Sequence, residues 1–527
     1  MDSTTRPAAT RICAGACLLA FFLQSFTAMR SESDTWDEGL AIASDALRLF
    51  NGDWRVADYA PPLHTWLNAP ALLCMKPRVP PYSPDAYNSE SDYGYAFLYV
   101  HNDPDRILFY CRLSVLLSAC LMGLCLYLWA ARLGGPLAGA FAVFLMAFEP
   151  NLLTHSRVAA WDMLCTATVF IAAFAVWRWL EQPTWRRAFV AGLAAGLALI
   201  SKYTALVMAP ALAAGIVWFE WSKGARGGRK AISPSWLGQI GLGLLVAAAV
   251  VTVSQPGFNP MNYLRGAAQV YSVNVPPGLY QSYLLGRVFD RPVPYYYGLT
   301  FLMKTPLPLL LVLCLVLALR RRCSLAVHPL GFILAPVLCM FAAAAFDTYN
   351  VCNRRILPVY PFLILLASQL VRLEAPGKLK KFLIGAPALW LVVSAISVYP
   401  HPLSFFNEAA GGPAAGVRRL DECNVDWGQG LPRLSERLKE LGIDEVRMPK
   451  EDVGAPERAA HYGLRHAIVT EEEYLSPKPA VYALSAHRVV WLKKQSVRLR
   501  DPRWDWLERF RPTAHVGYSI YIYDFRH

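Results

Sequence analysis

Residues 116–131, LLSACLMGLCLYLWAA, carry no charge and lie between Arg112 and Arg132. A helix apolar on every side has no face to offer water, so it belongs in a large core or a bilayer. FIAAFAVW at 170–177, LGLLVAAAVVTV at 242–253 and FILAPVLCMFAAAAF at 332–346 have the same character. Their windows reach or approach the roughly 20 residues that cross a membrane. Of the 527 residues, 55% are hydrophobic and 17% charged, where a soluble chain carries about 25% charged. The expected fold class is a polytopic α-helical membrane protein with a small polar tail.

About eleven crossings are expected, near 11–29, 108–131, 136–153, 160–179, 187–201, 204–221, 236–254, 299–319, 325–346, 356–372 and 382–399. The short loops RWLEQPTWRR (178–187), SKGARGGRK (222–230), RRRC (320–323) and VRLEAPGKLKK (371–381) are dense in Lys and Arg. With a cytoplasmic N-terminus all four face the cytoplasm, as the positive-inside rule requires. The net charge of +13 is then a topological signal. No RNA-binding signature or helix-turn-helix pattern points to nucleic acid.

The same count sends the loops 30–107, 154–160 and 255–298, and everything after about 400, to the extracytoplasmic side. The expected location is a bacterial inner membrane. Arg6, Arg11 and the short apolar run ending FTA (26–28) also read as a secretory signal. An uncleaved first helix is preferred, since cleavage would remove a wall of the candidate site.

Beyond residue 400 the character changes. GLPRLSERLKELG (430–442) has helical apolar spacing and ends at glycine. AVYALSA (480–486), HRVVWL (487–492) and GYSIYIYDF (517–525) read as strands. The expected division is a membrane body over 1–400 and a soluble α/β domain over 401–527. The 12 cysteines show no metal-ligand spacing. Most fall in apolar windows and read as free thiols, with a single pair in the outer loops left open.

Just after the first crossing, SDTWDEGLAIASDAL (33–47) places Asp37 and Glu38 side by side. Acids in the first turn of a helix favour its dipole, so the pair has a plain structural reading as well as a chemical one. DYAPPLHTWLNAPALL (58–73) is too short and broken to span, and reads as an interfacial segment with Trp66 at headgroup depth and His64 beside it. Asp162 stands at the outer mouth of the fourth crossing, where an ionised group needs a partner or a task. Arg157 is the nearby candidate partner. Lys202, Lys304, Arg354 and Arg355 are outer-face cations that topology does not require. Long side chains can snorkel, yet together these describe a basic pocket suited to a lipid-borne phosphate.

The order WDEG (36–39), APPLHTWL (60–67), HSRVAAWDM (155–163), FLMKTPLPLL (301–310) and RRILPVYPFLILLA (354–367) resembles the polyprenyl-phosphate-dependent glycosyltransferases of the multi-spanning C-type fold. Within them it is similar to glycosyltransferase family 39, the protein O-mannosyltransferases and the lipid A aminoarabinose transferases. FFNEAAGGPAAG (405–416) and NVDWGQGLPRL (424–434) are similar to tails of bacterial members. The resemblance implies Asp37 as catalytic base. It implies Glu38, His64, Arg157, Asp162, Lys202, Lys304, Arg354 and Arg355 as substrate-binding residues. Relatives often carry His or Lys before the Pro-Pro; here it is Ala60, which puts more weight on the remaining cations.

The implied reaction moves a sugar, with inversion, from a polyprenyl phosphate to an extracytoplasmic protein, lipid or glycan. A carboxylate can take the proton of a poorly nucleophilic hydroxyl. A phosphate leaving group needs fixed positive charge and no general acid. No cofactor is required outright; the acidic pair with Asp162 could hold a hard divalent cation. Membrane lipids are the expected surroundings. A transporter or flippase of lipid-linked sugars is the alternative, although no repeated halves are visible. A third reading gives the work to the tail, where DECNVDWGQG (421–430) holds Asp421, Asp426 and Gln429.

Overall fold

A computed structural model describes residues 5–223, 233–273 and 281–526. The longer helices of the membrane body are α1 (Thr5–Met29), α2 (Glu38–Ala46), α3 (Leu63–Met75), α4 (Pro104–Gly134), α5 (Pro136–Ala147), α6 (Trp161–Glu181), α7 (Trp185–Leu199), α8 (Met208–Lys223), α9 (Pro234–Ser254), α10 (Pro260–Val273), α11 (Tyr296–Lys304), α12 (Leu307–Ala318), α13 (Val327–Ala345), α14 (Val359–Ala367) and α15 (Gly377–Val398).

The segments expected to cross fall on helices, though 136–153 and 299–319 each run over a break between two of them. Among the described residues, six helices are long and apolar enough to cross a bilayer. The number rises to seven if α11 and α12, bent by 108°, are one broken span. The bend sits at Thr305 and Pro306. A residue before proline is pushed out of helical geometry, and Thr305 is extended at φ −91°, ψ 130°. Segments such as α5, of 12 residues, and α7, of 15, are shorter than the roughly 20 residues a crossing needs. Of the expected basic loops, most of 222–230 lies outside the described residues. The chain is an integral membrane protein.

Helix ends follow local rules. The Asp103 side chain accepts from the Arg106 N–H at 3.2 Å with Pro104 next, and Ser233 does the same for Trp236 ahead of α9. Such caps satisfy donors that the first turn leaves open. Trp129 of α4 lies at the centre of the body, its ring 5.3 Å from Phe170 and 6.2 Å from Phe362.

Between α10 and α11 lies a short hairpin, β1 (Ser282–Leu284) with β2 (Arg287–Phe289). The tail builds a five-stranded sheet from β3 (Val446–Met448), β4 (His466–Ile468), β5 (Val481–Ser485), β6 (Ala514–Val516) and β7 (Ile520–Asp524), in the order β4-β3-β5-β7-β6. β3 is parallel to β4 and β5, whereas β7 is antiparallel to β5 and β6. Leu431–Glu440 forms the helix expected there. HRVVWL, read as a strand, opens the helix Ala486–Leu499 instead. The Ser485 hydroxyl accepts from the Arg488 N–H at 2.9 Å and starts that helix, a local cap that outweighs the β-branched pair Val489–Val490.

The tail is bolted to the segment between α1 and α2. Arg458 donates to the Asp34 carboxylate at 2.6 Å, and to the carbonyls of Asp34 at 2.8 Å and Gly428 at 2.9 Å. Both side chains of this pair are fully buried. Removing one partner strands a charge in a dry place, so Arg458→Ala is expected to cost about 3–5 kcal/mol. A lowered thermal midpoint in detergent, with new protease cleavage near residue 430, is the measurement that checks it.

Candidate active site

The WDEG turn is fixed by its glutamate. Glu38 is fully buried, and its two oxygens accept from Arg112 Nε and Nη2, both at 2.7 Å, from Thr35 N at 2.8 Å and from Ala159 N at 2.7 Å. That fills the four acceptor positions of a carboxylate. Burial alone would raise its pKa, but Arg112 and the two backbone donors outweigh it and hold the group below its ordinary value. Arg112 spends its remaining donors on the carbonyls of Met29, Glu32 and Ser33. Glu38 is therefore a structural anchor and has no lone pair left for a substrate.

Asp37 is the opposite case. It stands at the start of α2 yet makes no side-chain cap, and its side chain is 31% exposed. Its carboxylate accepts from Arg354 Nη1. The same nitrogen lies 3.5 Å from Asp162 Oδ2, whose other oxygen takes Lys202 Nζ at 2.5 Å. Four of the nine expected residues thus form one chain, Asp37–Arg354–Asp162–Lys202. Asp162 is buried, whereas Asp37, Lys202 and Arg354 remain partly open. Burial pulls the Arg354 guanidinium down, but Asp37 and Asp162 more than compensate and keep it charged.

The remaining expectations go elsewhere. Arg157 is no partner of Asp162; it pairs with Glu32 at 2.7 Å, both buried. His64 is fully buried with Nδ1 2.6 Å from Asp45, which also accepts from Thr65 and Asn68. Lys304 is buried and donates to the carbonyls of Leu403 at 2.6 Å and Asn424 at 2.7 Å, over the Phe406 ring. It ties the tail to the body instead of waiting for phosphate. Arg355 turns to Asp347 at 3.3 Å. The three acids do not converge on a cation: Glu38 faces Arg112, and Arg354 lies between the other two.

Sequence reasoning missed the tail's share of this site. Trp427 lies 4.8 Å from the Arg354 guanidinium, a cation–π contact that holds its plane. The Trp36 N–H donates to the Trp427 carbonyl at 3.0 Å. At Gly428 φ is +87°, and a Cβ would lie 2.7 Å from the Trp36 indole nitrogen, so only glycine fits. A disulfide joins Cys352 to Cys423, Cα atoms 5.5 Å apart, two residues before Arg354. His155 is stacked edge-on to Trp427 at 5.6 Å; burial pushes its imidazole down to about 3, so it stays neutral. The NVDWGQG motif was the visible signal, but its partner lies some 70 residues away in the chain, and no spacing reveals that.

Next to Cys423, Asp421, Glu422 and His487 bring ligand atoms within 4.8 Å of one another. Two cations of the chain already serve Asp421: His487 Nδ1 at 2.9 Å and Lys494 Nζ at 2.6 Å. Burial would lower the His487 pKa, but Asp421 and Glu422 push it up to about 9.

An apolar cavity of ≈ 500 Å³ runs between α6, α7, α8 and α9, lined by small residues such as Ala172, Ala188, Gly192 and Ala247. Ala198 and Ala205, on either side of Lys202 in sequence, are part of its lining.

Two predictions follow from this geometry. A group whose folded pKa is raised stabilises fully below its unfolded value and loses that contribution as pH rises through the folded value. The thermal midpoint is therefore expected to fall between about pH 6.5 and 9, and His487→Gln to flatten that slope. Glu38→Ala should cost about 3–5 kcal/mol of stability, because it strands Arg112, whereas Asp37→Ala should leave the melting curve close to that of the parent.

Residues 105–252, which hold Arg112, Asp162 and Lys202, match the family model described as dolichyl-phosphate-mannose-protein mannosyltransferase. No curated protein matches the sequence. Among solved structures, the chain is similar to ArnT from Cupriavidus metallidurans bound to undecaprenyl phosphate, at 12% identity over 98% of this chain and 97% of that one, TM-score 0.47. It is similar also to the Archaeoglobus fulgidus oligosaccharyltransferase in complex with zinc and sulfate, at 11% identity over 91% and 69%, TM-score 0.47. The family match bears out the resemblance carried by the motifs: the chain is a membrane glycosyltransferase similar to the dolichyl-phosphate-mannose-protein mannosyltransferases.

Proposed function

We propose that this chain transfers a sugar, with inversion, from a polyprenyl phosphate to an acceptor hydroxyl on the extracytoplasmic face of the membrane. The observation that carries the reading is the Asp37–Arg354–Asp162–Lys202 chain, close in sequence to the lining of the apolar cavity between α6, α7, α8 and α9. The cavity accepts part of the isoprenoid, which leaves the bilayer only at a cost of ~0.8 kcal/mol per methylene. Lys202, flanked in sequence by the lining residues Ala198 and Ala205, meets the phosphate.

Asp37 is the base. In the free enzyme it is engaged by Arg354. A donor phosphate competes for that guanidinium, and its arrival releases the carboxylate to accept the acceptor's proton. The acceptor oxygen then bonds to the anomeric carbon, the bond from that carbon to the phosphate oxygen breaks, and the electron pair leaves with the phosphate. Its charge grows between Arg354 and Lys202, which Asp162 keeps in place. Glu38, Arg112 and Trp427 position these groups without touching the reactants.

Several features support the outer-face assignment: the basic loops opposite, the Cys352–Cys423 bridge that favours an oxidising compartment, and the site at the outer mouth of α6. In this arrangement the N-terminus is cytoplasmic, the membrane is a bacterial inner membrane, and residues 401–527 form the extracytoplasmic domain.

Asp37→Asn is expected to lower transfer by about 10²–10⁴-fold, and Arg354→Ala by about 10²–10³-fold, in proteoliposomes given labelled polyprenyl-phosphate sugar. Full activity of Asp37→Ala would remove the base from the scheme.

A further inference from the structure

A groove of ≈ 650 Å³ runs between α3 and α4, and none of its lining residues belongs to the candidate active site. Its walls are one face of each helix. α3 offers Leu67, Ala71 and Cys74, and α4 offers Arg106, Tyr110, Leu117 and Leu121. Spacings of three and four residues, and their sums, stack side chains along one side of a helix. α3 runs back along α4. The Ser114 hydroxyl donates to Asn68 Oδ1 at 2.5 Å. Past the end of α3, the Arg78 N–H donates to Asn102 Oδ1 at 2.8 Å, and Asn102 Nδ2 donates to the Arg78 carbonyl at 2.9 Å.

The groove has a charged end and an apolar one. Arg106 lies in the first turn of α4. The helix rises about 22 Å from Arg106 to Leu121 at ~1.5 Å per residue, which is half of the ~40–45 Å of a bilayer with its headgroups. Leu117 and Leu121 are exposed on a helix long and apolar enough to cross, so lipid reaches them. At the charged end, Lys76 directly follows the lining residue Met75, and the Arg78–Asn102 bonds bring that turn to the start of α4. Arg106, Lys76 and Arg78 form no ion pair among the described residues. The two acids closest to Arg106 in sequence are engaged. Asp103 Oδ1 accepts from the Arg106 N–H at 3.2 Å, and Asp105 Oδ1 lies 3.2 Å from His461 Nε2. An arginine and a tyrosine at a helix end serve elsewhere as plain interface anchors. A plain anchor needs no second helix to make a hollow beside it.

We propose that this groove seats one anionic phospholipid, its chains along Leu117 and Leu121 and its phosphate on Arg106, with Lys76 and Arg78 beside the head. The guanidinium fork matches phosphate oxygens, and each basic side chain near a lipid surface favours an anionic head. A zwitterionic head brings its own ammonium to three cations and loses that advantage. The length of the groove is that of one leaflet. The lipid is held, not consumed. The Leu63 N–H at the start of α3 donates to the Ile200 carbonyl at 3.0 Å, two residues before Lys202, so a lipid packed behind α3 braces the helix that leans on that turn.

The test uses the full chain in an uncharged maltoside detergent. Cys74, in the groove wall, is an exposed free thiol, as are Cys13 and Cys314 on other helices. The three are alkylated with N-ethylmaleimide and their rates read by peptide mass spectrometry, while phosphatidylglycerol or phosphatidylcholine with the same acyl chains is titrated in. Phosphatidylglycerol is expected to protect Cys74 at about tenfold lower mole fraction than phosphatidylcholine, the preference that one or two basic side chains confer, and to leave Cys13 and Cys314 unchanged. Arg106→Gln should bring the two lipids within about twofold of each other. Leu117→Trp, which fills the groove and keeps the cations, should abolish the titratable protection by either lipid. Phosphatidylglycerol should also raise the thermal midpoint of the parent chain by mass action, and not that of Arg106→Gln; a parent midpoint indifferent to it removes the bracing role. Equal protection by both lipids in the parent, a preference that survives Arg106→Gln, or equal slowing of all three thiols overturns the site. So does protection that persists in Leu117→Trp. Stronger protection by undecaprenyl phosphate than by phosphatidylglycerol gives the groove to a polyprenyl lipid instead, and no protection by any lipid leaves it to a protein partner; either result refutes the proposal.

Discussion

The bidentate pair between Glu38 and Arg112 is the contact on which the candidate site depends. It joins the turn after α1 to the start of α4, and through Ala159 N it also grips the segment that leads into Asp162. Both ions are out of water, where an unpaired charge is costly. Every donor of Arg112 and every acceptor position of Glu38 is used. The turn therefore has one geometry, and in it the adjacent Asp37 points outward. The two neighbouring acids divide the labour: Glu38 is consumed by structure, and Asp37 is left to face Arg354.

The same logic runs through the basic residues. Arg157, Lys304 and Arg355 each meet a carboxylate or carbonyl of the chain. Lys202 and Arg354 are different because their partners, Asp37 and Asp162, are themselves at the site. The cluster is thus neutral, and on the proposed reading it already carries, in pairs, the charges the transfer needs. A phosphate can exchange for a carboxylate at Arg354 at little change in solvation, since each is an oxyanion presented to the same fork.

The tail is part of this centre. Trp427 beneath Arg354, Gly428 against Trp36, the Cys352–Cys423 bridge and Lys304 on the Asn424 carbonyl all fix the segment 421–428 to the membrane body. A reading that assigns catalysis to the body and leaves the tail as an appendage does not fit these contacts. Neither does one that gives the tail a separate activity at Asp421, whose carboxylate is taken up by His487 and Lys494.

The sequence by itself determined the membrane helices, because a run without polar side chains can satisfy its backbone in a bilayer only as a helix. Motif order singled out Asp37, Asp162, Lys202 and Arg354, which the fold brings together in one chain of ion pairs. The sequence also showed the helix at 431–440, whose apolar spacing is local. Only the tertiary structure decided which charges face each other. Glu38 and Asp37 look alike in the chain, as do Lys304 and Lys202, and Arg157 sits nearer Asp162 in sequence than Arg354 does. Pairing between charges is set by which helices pack together, over separations of 40 to more than 300 residues, and no local pattern encodes that. The length of each crossing was likewise blurred, since apolar content marks a helix but not the proline or glycine geometry that bends or ends it, as at Thr305–Pro306.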